Sequence, residues 1–218
     1  MAISKTYLYS NDAAASCANI AAYLQENAVP KYFDSVTISD DEATVICTVG
    51  GVDLLKYTPS NTTATFVITT ATGESKNVAV QSSSYAYVNY AYQCANGIAF
   101  SPTISTGDPF TIAITKNNNG ETAVISAQQF GASTLINMVS QSLSAISLSC
   151  VAPLKTFSFN RTDYNLTTLV PFPCSNALGN PTYTPNAFYM PHSQNTAVGK
   201  LVINGAEYLS NGYWCIKD

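Results

Sequence analysis

The sequence has few charged residues, and this shortage excludes several classes of protein. Charged residues make up 10% of the chain, against roughly 25% in an average soluble domain. Coiled coils, charged disordered tails and helix-dominated enzymes need Glu, Lys, Arg or Ala in bulk, so none of these classes fits. Arg161 is the only arginine, and the lysines do not cluster. Because nucleic-acid binding and anionic membrane binding both need clustered cations, we expect neither partner.

Groups that commonly carry catalysis are also scarce. His192 is the only histidine, so a Ser-His-Asp triad would have to use it. The sequence contains no GxSxG, HExxH or glycine-rich phosphate-binding loop. Thirteen Asp and Glu leave a glycan-degrading enzyme open, since glycoside hydrolysis needs only two carboxylates at the right separation. We expect a non-enzymatic protein without catalytic residues.

Metal-binding patterns are missing as well. The six cysteines are Cys17, Cys47, Cys94, Cys150, Cys174 and Cys215. They form no CxxC pair, which argues against zinc and favours buried thiols that pack as small apolar groups, although a disulfide between distant positions stays open. The one acidic cluster, Asp40, Asp41 and Glu42, is predicted to be a solvated turn, with a weak calcium site as the alternative. We therefore expect no metal and no cofactor.

Long apolar runs are absent. No segment reaches the ~18 unbroken apolar residues that a membrane-spanning helix needs. The first residues, MAISKT, lack the apolar core of a signal peptide. We expect either a mature form or a chain that is made and kept in the cytoplasm.

Small polar residues take the place of charge, with 23 Ser, 24 Thr and 19 Asn. Thr, together with Tyr and Val, favours strands, while Asn and Ser favour the turns between them. The composition predicts a mainly β fold, a β-rich α+β arrangement of antiparallel, sandwich-like sheets with one N-terminal amphipathic helix.

That helix is predicted over residues 12–28. Ser10, Asn11 and Asp12 supply capping side chains, and Pro30 ends the helix. Its apolar stripe consists of Cys17, Ile20, Ala21, Leu24 and Ala28. Short strands are predicted at residues 35–38, 43–49, 52–57, 63–69 and 77–81. Residues 1–82 are thus predicted to form a small α+β unit, with the helix on an antiparallel sheet.

Residues 83–218 are predicted to form a second, mainly β unit. A hairpin over residues 110–127, with a two-residue turn at Asn119-Gly120, would pair Ile114 with Ile125. Residues 134–143 are predicted to form a second helix. The closely spaced prolines that follow residue 170 predict an extended loop packed on the body rather than a sheet.

A three-stranded meander is predicted over residues 199–217. Two Asn-Gly turns, at 204–205 and 211–212, separate its strands. The predicted cross-strand pairs are Ile203 with Ala206, Leu201 with Tyr208, and Leu209 with Trp214. Trp214, the only tryptophan, is expected to anchor this sheet.

Aromatic side chains indicate a contact surface. On the tyrosine-rich strand over residues 85–92, Tyr85 and Tyr87 are predicted to share one face, and Val88, Tyr90 and Tyr92 the other. Tyrosine offers contact area with little loss of entropy, so such a row serves either half-buried packing or recognition. The candidate contact residues are Tyr85, Tyr87, Tyr90, Tyr92, Tyr183, Phe188, Tyr189 and Trp214.

The C-terminal third resembles a known class of proteins. The runs NAFYMP at residues 186–191 and GKLVINGAEYLSNGYWCIKD at residues 199–218 look like virion proteins of tailed phages and prophages, mainly of the Firmicutes. The resemblance implies a structural particle protein made without a signal peptide and assembled into symmetric rings or trimers. It carries over no site residue.

These features lead to a ranked set of expectations. The first is a non-enzymatic virion component, in the tail, the baseplate or decorating the capsid, that contacts copies of itself and other virion proteins. Its interface is expected in residues 171–195 and the adjoining meander, buried only in the assembly. The alternative is a carbohydrate-binding, adhesin or receptor-binding module for a host surface glycan, and a glycan-degrading enzyme comes third.

Overall fold

The computed structural model describes residues 2–60, 63–69, 75–81, 88–102, 111–130, 135–143, 152–153, 157–158, 169–175, 181–189, 199–210 and 214–218. These residues form three antiparallel sheets and a single helix near the N-terminus, which confirms the predicted mainly β fold. In chain order the elements are β1 (Ser4–Tyr7), α1 (Ala13–Asn27), β2 (Ser35–Ile38), β3 (Val45–Val49), β4 (Val52–Thr58), β5 (Thr63–Thr69), β6 (Ser75–Gln81), β7 (Val88–Cys94), β8 (Gly97–Pro102), β9 (Thr111–Lys116), β10 (Thr122–Phe130), β11 (Leu135–Leu143), β12 (Ala152–Pro153), β13 (Phe157–Ser158), β14 (Val170–Ser175), β15 (Pro181–Tyr189), β16 (Gly199–Ile203), β17 (Ala206–Ser210) and β18 (Trp214–Lys217).

The strands divide into a central sheet, a helix-side sheet and a C-terminal sheet. The central sheet has the order β1-β7-β8-β9-β10-β11-β12, and β13 also pairs with β11. The helix-side sheet runs β2-β3-β4-β5-β6, in sequence order. The C-terminal sheet has the order β14-β15-β18-β17-β16, so its last three strands form the predicted meander.

The helix α1 matches its prediction closely. The Asp12 carboxylate accepts a hydrogen bond from the Ala15 N–H at 2.9 Å, which caps the first turn. At the other end, the Ala28 N–H donates to the Leu24 carbonyl at 2.8 Å. All members of the predicted apolar stripe are buried, because α1 packs against the helix-side sheet and, through the rings of Tyr23 and Phe100, against β8.

The middle strands of the central sheet are buried on both faces. On one face Ile98, Ile112 and Ile114 join a core that includes α1 and the helix-side sheet. On the other face Ala113 and Ile125 join a core beneath the C-terminal sheet. Alternate residues of one strand therefore enter two different cores, and both sets must be apolar or small.

The C-terminal sheet lies on the central sheet with its strands in matching order. β17 contacts β7, β15 contacts β9 and β14 contacts β11. Between these contacts β18 lies over β8, where Ile216 approaches Gly97. Successive strands of the C-terminal sheet thus lie over successive strands of the central sheet. The edge strands β1 and β16 therefore lie on the same side of the two stacked sheets.

The hairpin of β9 and β10 forms as predicted, but its register is shifted by one residue. Ile114 lies opposite Val124, not Ile125. The Asn117 side-chain oxygen accepts hydrogen bonds from the N–H groups of Asn119 and Glu121, each at 2.9 Å, and this holds a longer turn than the predicted two residues. A shift of one residue moves each side chain of β10 to the opposite face relative to β9. Ile125 therefore enters the core beneath the C-terminal sheet.

Residues 135–143 form strand β11 instead of the predicted helix. The strand pairs with β10 along its whole length, from Leu135 opposite Phe130 to Leu143 opposite Thr122. Serines at positions 140 and 142 favour helix weakly, and the free edge of β10 offers a complete set of backbone partners. Pairing with this edge outweighs the weak local helical preference.

The proline-rich stretch also forms strands, not the predicted loop. β14 is an edge strand, and its pairing with β15 shifts register between Pro171 and Pro173. Pro181 begins β15, and Pro185 lies in the gap between the two stretches of β15 that pair with β14, just before the residues that pair with β18. Edges, strand starts and irregularities are the positions in a sheet where a missing N–H is tolerated.

The meander is confirmed for its first turn and shifted at its second. Ile203 pairs with Ala206 and Leu201 with Tyr208, as predicted. Leu209 lies opposite Ile216 rather than Trp214. The connection is two residues longer than predicted, and the Ser210 hydroxyl donates to the Trp214 carbonyl across it at 2.8 Å. A two-residue shift keeps each side chain on its predicted face.

The division into two units at residue 82 falls within residues 82–87, which lie outside the described residues, and it stays a prediction. β1 pairs with β7, so residues 4–7 join the sheet of the second predicted unit. Residues from both sides of the boundary share one core, including Leu24 and Ile114.

Gly97 allows the close approach of the C-terminal sheet, and its replacement by alanine tests that packing. A Cβ at this position would lie 2.7 Å from Ile216 Cδ1 and 2.9 Å from the Ile114 carbonyl oxygen. Gly97→Ala is expected to lower the free energy of unfolding by about 1–3 kcal/mol, measured by urea denaturation. The matched control is Gly199→Ala, also in a strand, where a Cβ meets no atom within 4 Å. Equal midpoints for the two variants would contradict this packing.

Two buried tyrosines differ in whether the hydroxyl has a partner. The Tyr57 hydroxyl bonds to the Ser16 hydroxyl at 3.2 Å and accepts from the Val88 N–H at 3.3 Å, which joins α1, β4 and β7. Among the residues that the structure describes, the buried Tyr23 hydroxyl has no hydrogen-bond partner. Burial, followed by the nearby charge of Glu26, raises the pKa of Tyr23 to about 12, so the group stays neutral at ordinary pH.

This difference predicts opposite results for the same chemical change. Tyr57→Phe removes an acceptor from the buried Val88 N–H and is expected to cost about 1–3 kcal/mol of unfolding free energy. Tyr23→Phe removes an unpaired hydroxyl and is expected to leave stability unchanged or slightly higher. Urea denaturation of both variants measures the difference. A larger loss for Tyr23→Phe would be the reverse of what the hydrogen bonds predict.

Candidate assembly surface

The predicted contact residues occupy very different positions. Trp214 is fully buried between the central and C-terminal sheets with Leu209 and Ile216, which confirms its role as an anchor. Tyr92 is 6% exposed in the same core. Neither ring therefore has a face left for a partner. Because Phe172 and Trp214 are already buried within one chain, the expectation that residues 171–217 are buried only in an assembly fails for these positions.

The other predicted contact residues are dispersed. Tyr183 is 47% exposed on β15, and its carbonyl accepts a hydrogen bond from the Asn118 N–H at 2.9 Å. Phe188 is half-buried on the outer face of the C-terminal sheet, edge-on to Tyr208 at 6.4 Å. Tyr85 and Tyr87 lie outside the described residues, and the side chain of Tyr189 does too.

The predicted faces of the tyrosine-rich strand need one correction. Val88 and Tyr90 do not share a face, because the pairing of β7 with β8 shifts register between them. The extra residue of such a bulge turns the following side chains over. Val88 consequently packs into the core that α1 and the helix-side sheet form with the central sheet, called the helix-side core below. Tyr90 packs against the core beneath the C-terminal sheet.

Tyr90 belongs to an aromatic cluster that sequence reasoning did not identify. The tyrosine cluster consists of Tyr7, Tyr9, Tyr90 and Tyr92. The ring centroids of Tyr7 and Tyr90 are 5.3 Å apart, and those of Tyr90 and Tyr92 are 6.2 Å apart. Tyr7 and Tyr9 are 6.1 Å apart. The alternation of Tyr7 and Tyr9 was a local strand signal, but only the pairing of β1 with β7 brings them to Tyr90.

Lys5 lies over this cluster. It is directly opposite Tyr92 in the register of β1 and β7, and its Nζ is 3.8 Å from the centroid of the Tyr90 ring and 5.6 Å from that of Tyr92. A cation over an aromatic face is stabilised by the ring's negative quadrupole. The lysine therefore covers the face of Tyr90 that a planar ligand would otherwise stack on.

The cluster lies on the flank formed by the edge strands β1 and β16, here called the β1/β16 flank. Along it exposure rises from the buried Tyr92, through the half-buried Tyr90, to Tyr7, which is 62% exposed. On the facing sheet Val202 is 55% exposed, and it shares a face with the buried Leu209. The apolar core between the two sheets thus continues outward to solvent at this flank.

The acidic turn is held by its own hydrogen bonds. The Ser39 hydroxyl donates to the Asp41 carboxylate at 2.5 Å, and the Ala43 N–H donates to it at 3.2 Å. These bonds, the one from Ser39 first, hold the pKa of Asp41 below its usual value. Asp40 and Glu42 border an open cleft of about 520 Å³ with Ile38 and the alanines at the start of α1.

No site for metal chemistry is formed by the described residues. Within the described ranges, no group of three or more His, Cys, Asp and Glu could hold a metal ion. His192 lies outside those ranges, as do Cys150 and the side chain of Cys174. The other four cysteines are buried, as predicted. Burial raises the pKa of Cys17 to about 11 and that of Cys215 to about 12, so both stay protonated and weakly nucleophilic.

Comparison of the sequence with protein-family models and with curated proteins finds no match. In the part of the chain that the structure describes, no helix is both long and apolar enough to cross a membrane. The β1/β16 flank therefore stands on its geometry alone as the candidate surface.

Tyr92 and Tyr7 belong to the same cluster but differ in burial, and their replacement by alanine should therefore differ in its effect on stability. Tyr92→Ala is expected to lower the free energy of unfolding by about 3–5 kcal/mol, since it opens a cavity in a buried core. Tyr7→Ala removes two ring pairs, with Tyr90 and with Tyr9, at a mostly exposed position and is expected to cost about 1–2 kcal/mol. Urea denaturation of the two variants gives the comparison. A cost for Tyr7→Ala that equals that of Tyr92→Ala would mean that Tyr7 belongs to the core.

Proposed function

We propose that this protein is a non-enzymatic structural component of a tailed-phage virion, in the tail, the baseplate or decorating the capsid. It acts through contacts with copies of itself and with other virion proteins. The observation that carries the proposal is the β1/β16 flank. There the core between the central and C-terminal sheets, called the intersheet core below, reaches solvent, and both sheets end in exposed edge strands.

The chemistry of the flank supports protein contacts. Its centre is apolar and aromatic, with Tyr7, Tyr90 and Val202. Aromatic residues are enriched at the centres of protein interfaces, where charged residues are depleted. The low overall charge of the chain supports the same conclusion, because a free monomer usually carries mixed charge over its surface.

The virion assignment rests on the resemblance of residues 186–191 and 199–218 to phage and prophage virion proteins. These residues belong in part to β15 and to the meander of β16, β17 and β18. The resembling segment therefore includes β16, one of the two edge strands of the flank.

A glycan-binding module is the second candidate, at a different place. Tyr183 is exposed next to the tip of the β9–β10 hairpin, where Asn118 and Asn119 are also exposed. Amide groups supply both donors and acceptors, which match the hydroxyl groups of a sugar, and an exposed ring supplies a stacking face. At the tyrosine cluster, in contrast, Lys5 already occupies the face of Tyr90.

Sedimentation velocity over a concentration series, together with mass spectrometry of purified particles, tests the proposal. We expect the purified chain to self-associate and the protein to be found in particles at a fixed copy number. Tyr183→Ala should leave self-association unchanged, because this residue lies away from the flank. A chain that stays monomeric at its highest soluble concentration and is missing from particles would refute the proposal. Glycan-array binding that disappears in Tyr183→Ala would favour the second candidate.

A further inference from the structure

We infer that the β1/β16 flank is a two-fold self-association site, in which β1 pairs with β1 and β16 with β16 of a second copy. Both sheets then continue across the contact, and the intersheet core becomes continuous between the copies. This inference rests on the proposed function, because it names the partner and the geometry of the assembly surface described above.

Among the described strands, the two edges on this flank have no strand beyond them. Within the described ranges β1 pairs only with β7, and β16 only with β17. An edge strand presents a row of unpaired N–H and C=O groups, which is a template for another strand. Proteins usually block such an edge by keeping the strand short or with proline, a bulge or a charged side chain, most often lysine. Neither β1 nor β16 contains proline, and their pairings with β7 and β17 are regular.

Each edge strand does contain one lysine, and both lysines are drawn back over their own sheet. Lys5 lies over the Tyr90 ring, with Nζ 3.8 Å from the centroid. Lys200 forms an ion pair with Glu207 of the neighbouring strand. The two charges are thus partnered within the chain and do not extend across the edge, so they block strand addition less than free lysines would.

The geometry of the flank favours a second copy over another kind of partner. Because β1 and β16 end aligned sheets, a partner must offer two strand edges about 10 Å apart, the separation of packed sheets. A second copy of this flank offers that spacing and twist. A two-fold axis normal to the sheets makes both pairings antiparallel at once, and it yields a closed, self-complementary contact.

The apolar side chains at the flank fit this arrangement. Tyr7 of the central sheet and Val202 of the C-terminal sheet both project on the faces that enclose the intersheet core. They are the two most exposed large apolar residues of the described chain, at 62% and 55%. In the two-fold contact these side chains meet their counterparts and leave water, which supplies the hydrophobic gain that edge hydrogen bonds alone lack.

The test compares two double variants with the same change in charge. Tyr7→Lys with Val202→Lys places an unpaired lysine on each edge, which is the device that natural edge strands use against pairing. The control is Ile38→Lys with Tyr183→Lys, two exposed apolar residues on other surfaces. In sedimentation equilibrium we expect the flank variant to dimerise at least about 100-fold more weakly than wild type, and the control to match wild type.

Amide hydrogen exchange then distinguishes strand pairing from side-chain contact. In the wild type, amides of β1 and β16 should gain protection as concentration rises, while those of β2, an edge strand of the helix-side sheet, should not change. The gain should vanish in the flank variant. If the double variant loses its native circular dichroism, the single variants Tyr7→Lys and Val202→Lys replace it, since both side chains are mostly exposed.

The possible outcomes separate this inference from the proposed function. If the wild type dimerises but the flank variant dimerises as tightly as the control, the two-fold pairing is wrong. The same holds if the amides of β1 and β16 gain no protection with concentration. Both results leave the proposed assembly function intact, through another surface. A wild-type chain that is monomeric at every concentration overturns both the pairing and assembly with copies of itself.

Discussion

The structure depends on one constraint: the middle strands of the central sheet are buried on both faces. Ile112 and Ile114 enter the helix-side core, while Ala113 between them enters the core beneath the C-terminal sheet. A strand in this position needs apolar or small residues at every position rather than at alternate ones. Gly97 shows how close the layers come, since even a methyl group there would lie 2.7 Å from Ile216 Cδ1 of the C-terminal sheet. The rest of the fold, α1 and the helix-side sheet on one face and the C-terminal sheet on the other, covers these strands.

The abundant small polar residues make this layering workable without charge. Ser16 bonds to Tyr57 inside the helix-side core, and the Thr122 hydroxyl donates to the Tyr32 carbonyl at 2.5 Å. The buried Thr184 donates to the Ala187 carbonyl at 2.7 Å and accepts from the Phe172 N–H, within the irregular part of β15. A hydroxyl satisfies a buried backbone group without the desolvation cost of a charge, so a chain with so few charges still meets its hydrogen-bonding needs.

Burial of both faces also decides where partners can bind. Because both faces of its middle strands are covered, the described part of the central sheet reaches the surface mainly at turns and edges. At one flank the core between the central and C-terminal sheets ends in Tyr7 and Val202, beside the exposed Lys5, Lys200 and Glu207. The charged groups at this flank are paired within the chain, Lys5 with the Tyr90 ring and Lys200 with Glu207.

Local signals were enough for local structure. The Asp12 cap and the stripe through Leu24 predicted α1, and the Asn204-Gly205 turn predicted the pairing of β16 and β17, because caps, helical periodicity and two-residue turns are decided within a few residues. The composition by itself determined the mainly β class. It also indicated an uncharged exterior, and the tyrosine-rich strand pointed to two members of the tyrosine cluster, Tyr90 and Tyr92.

Most choices between partners were decided by tertiary structure. The register of the β9–β10 hairpin was set locally, by bonds between the Asn117 side chain and residues two and four positions on. In contrast, β11 became a strand because β10 offered an open edge. Tyr92 and Trp214 became core residues because a second sheet covers them, whereas Tyr7 reached the surface cluster through a pairing between β1 and β7 that spans more than eighty residues. Periodicity states which side chains share a face, but not what covers that face, and burial depends on the covering layer.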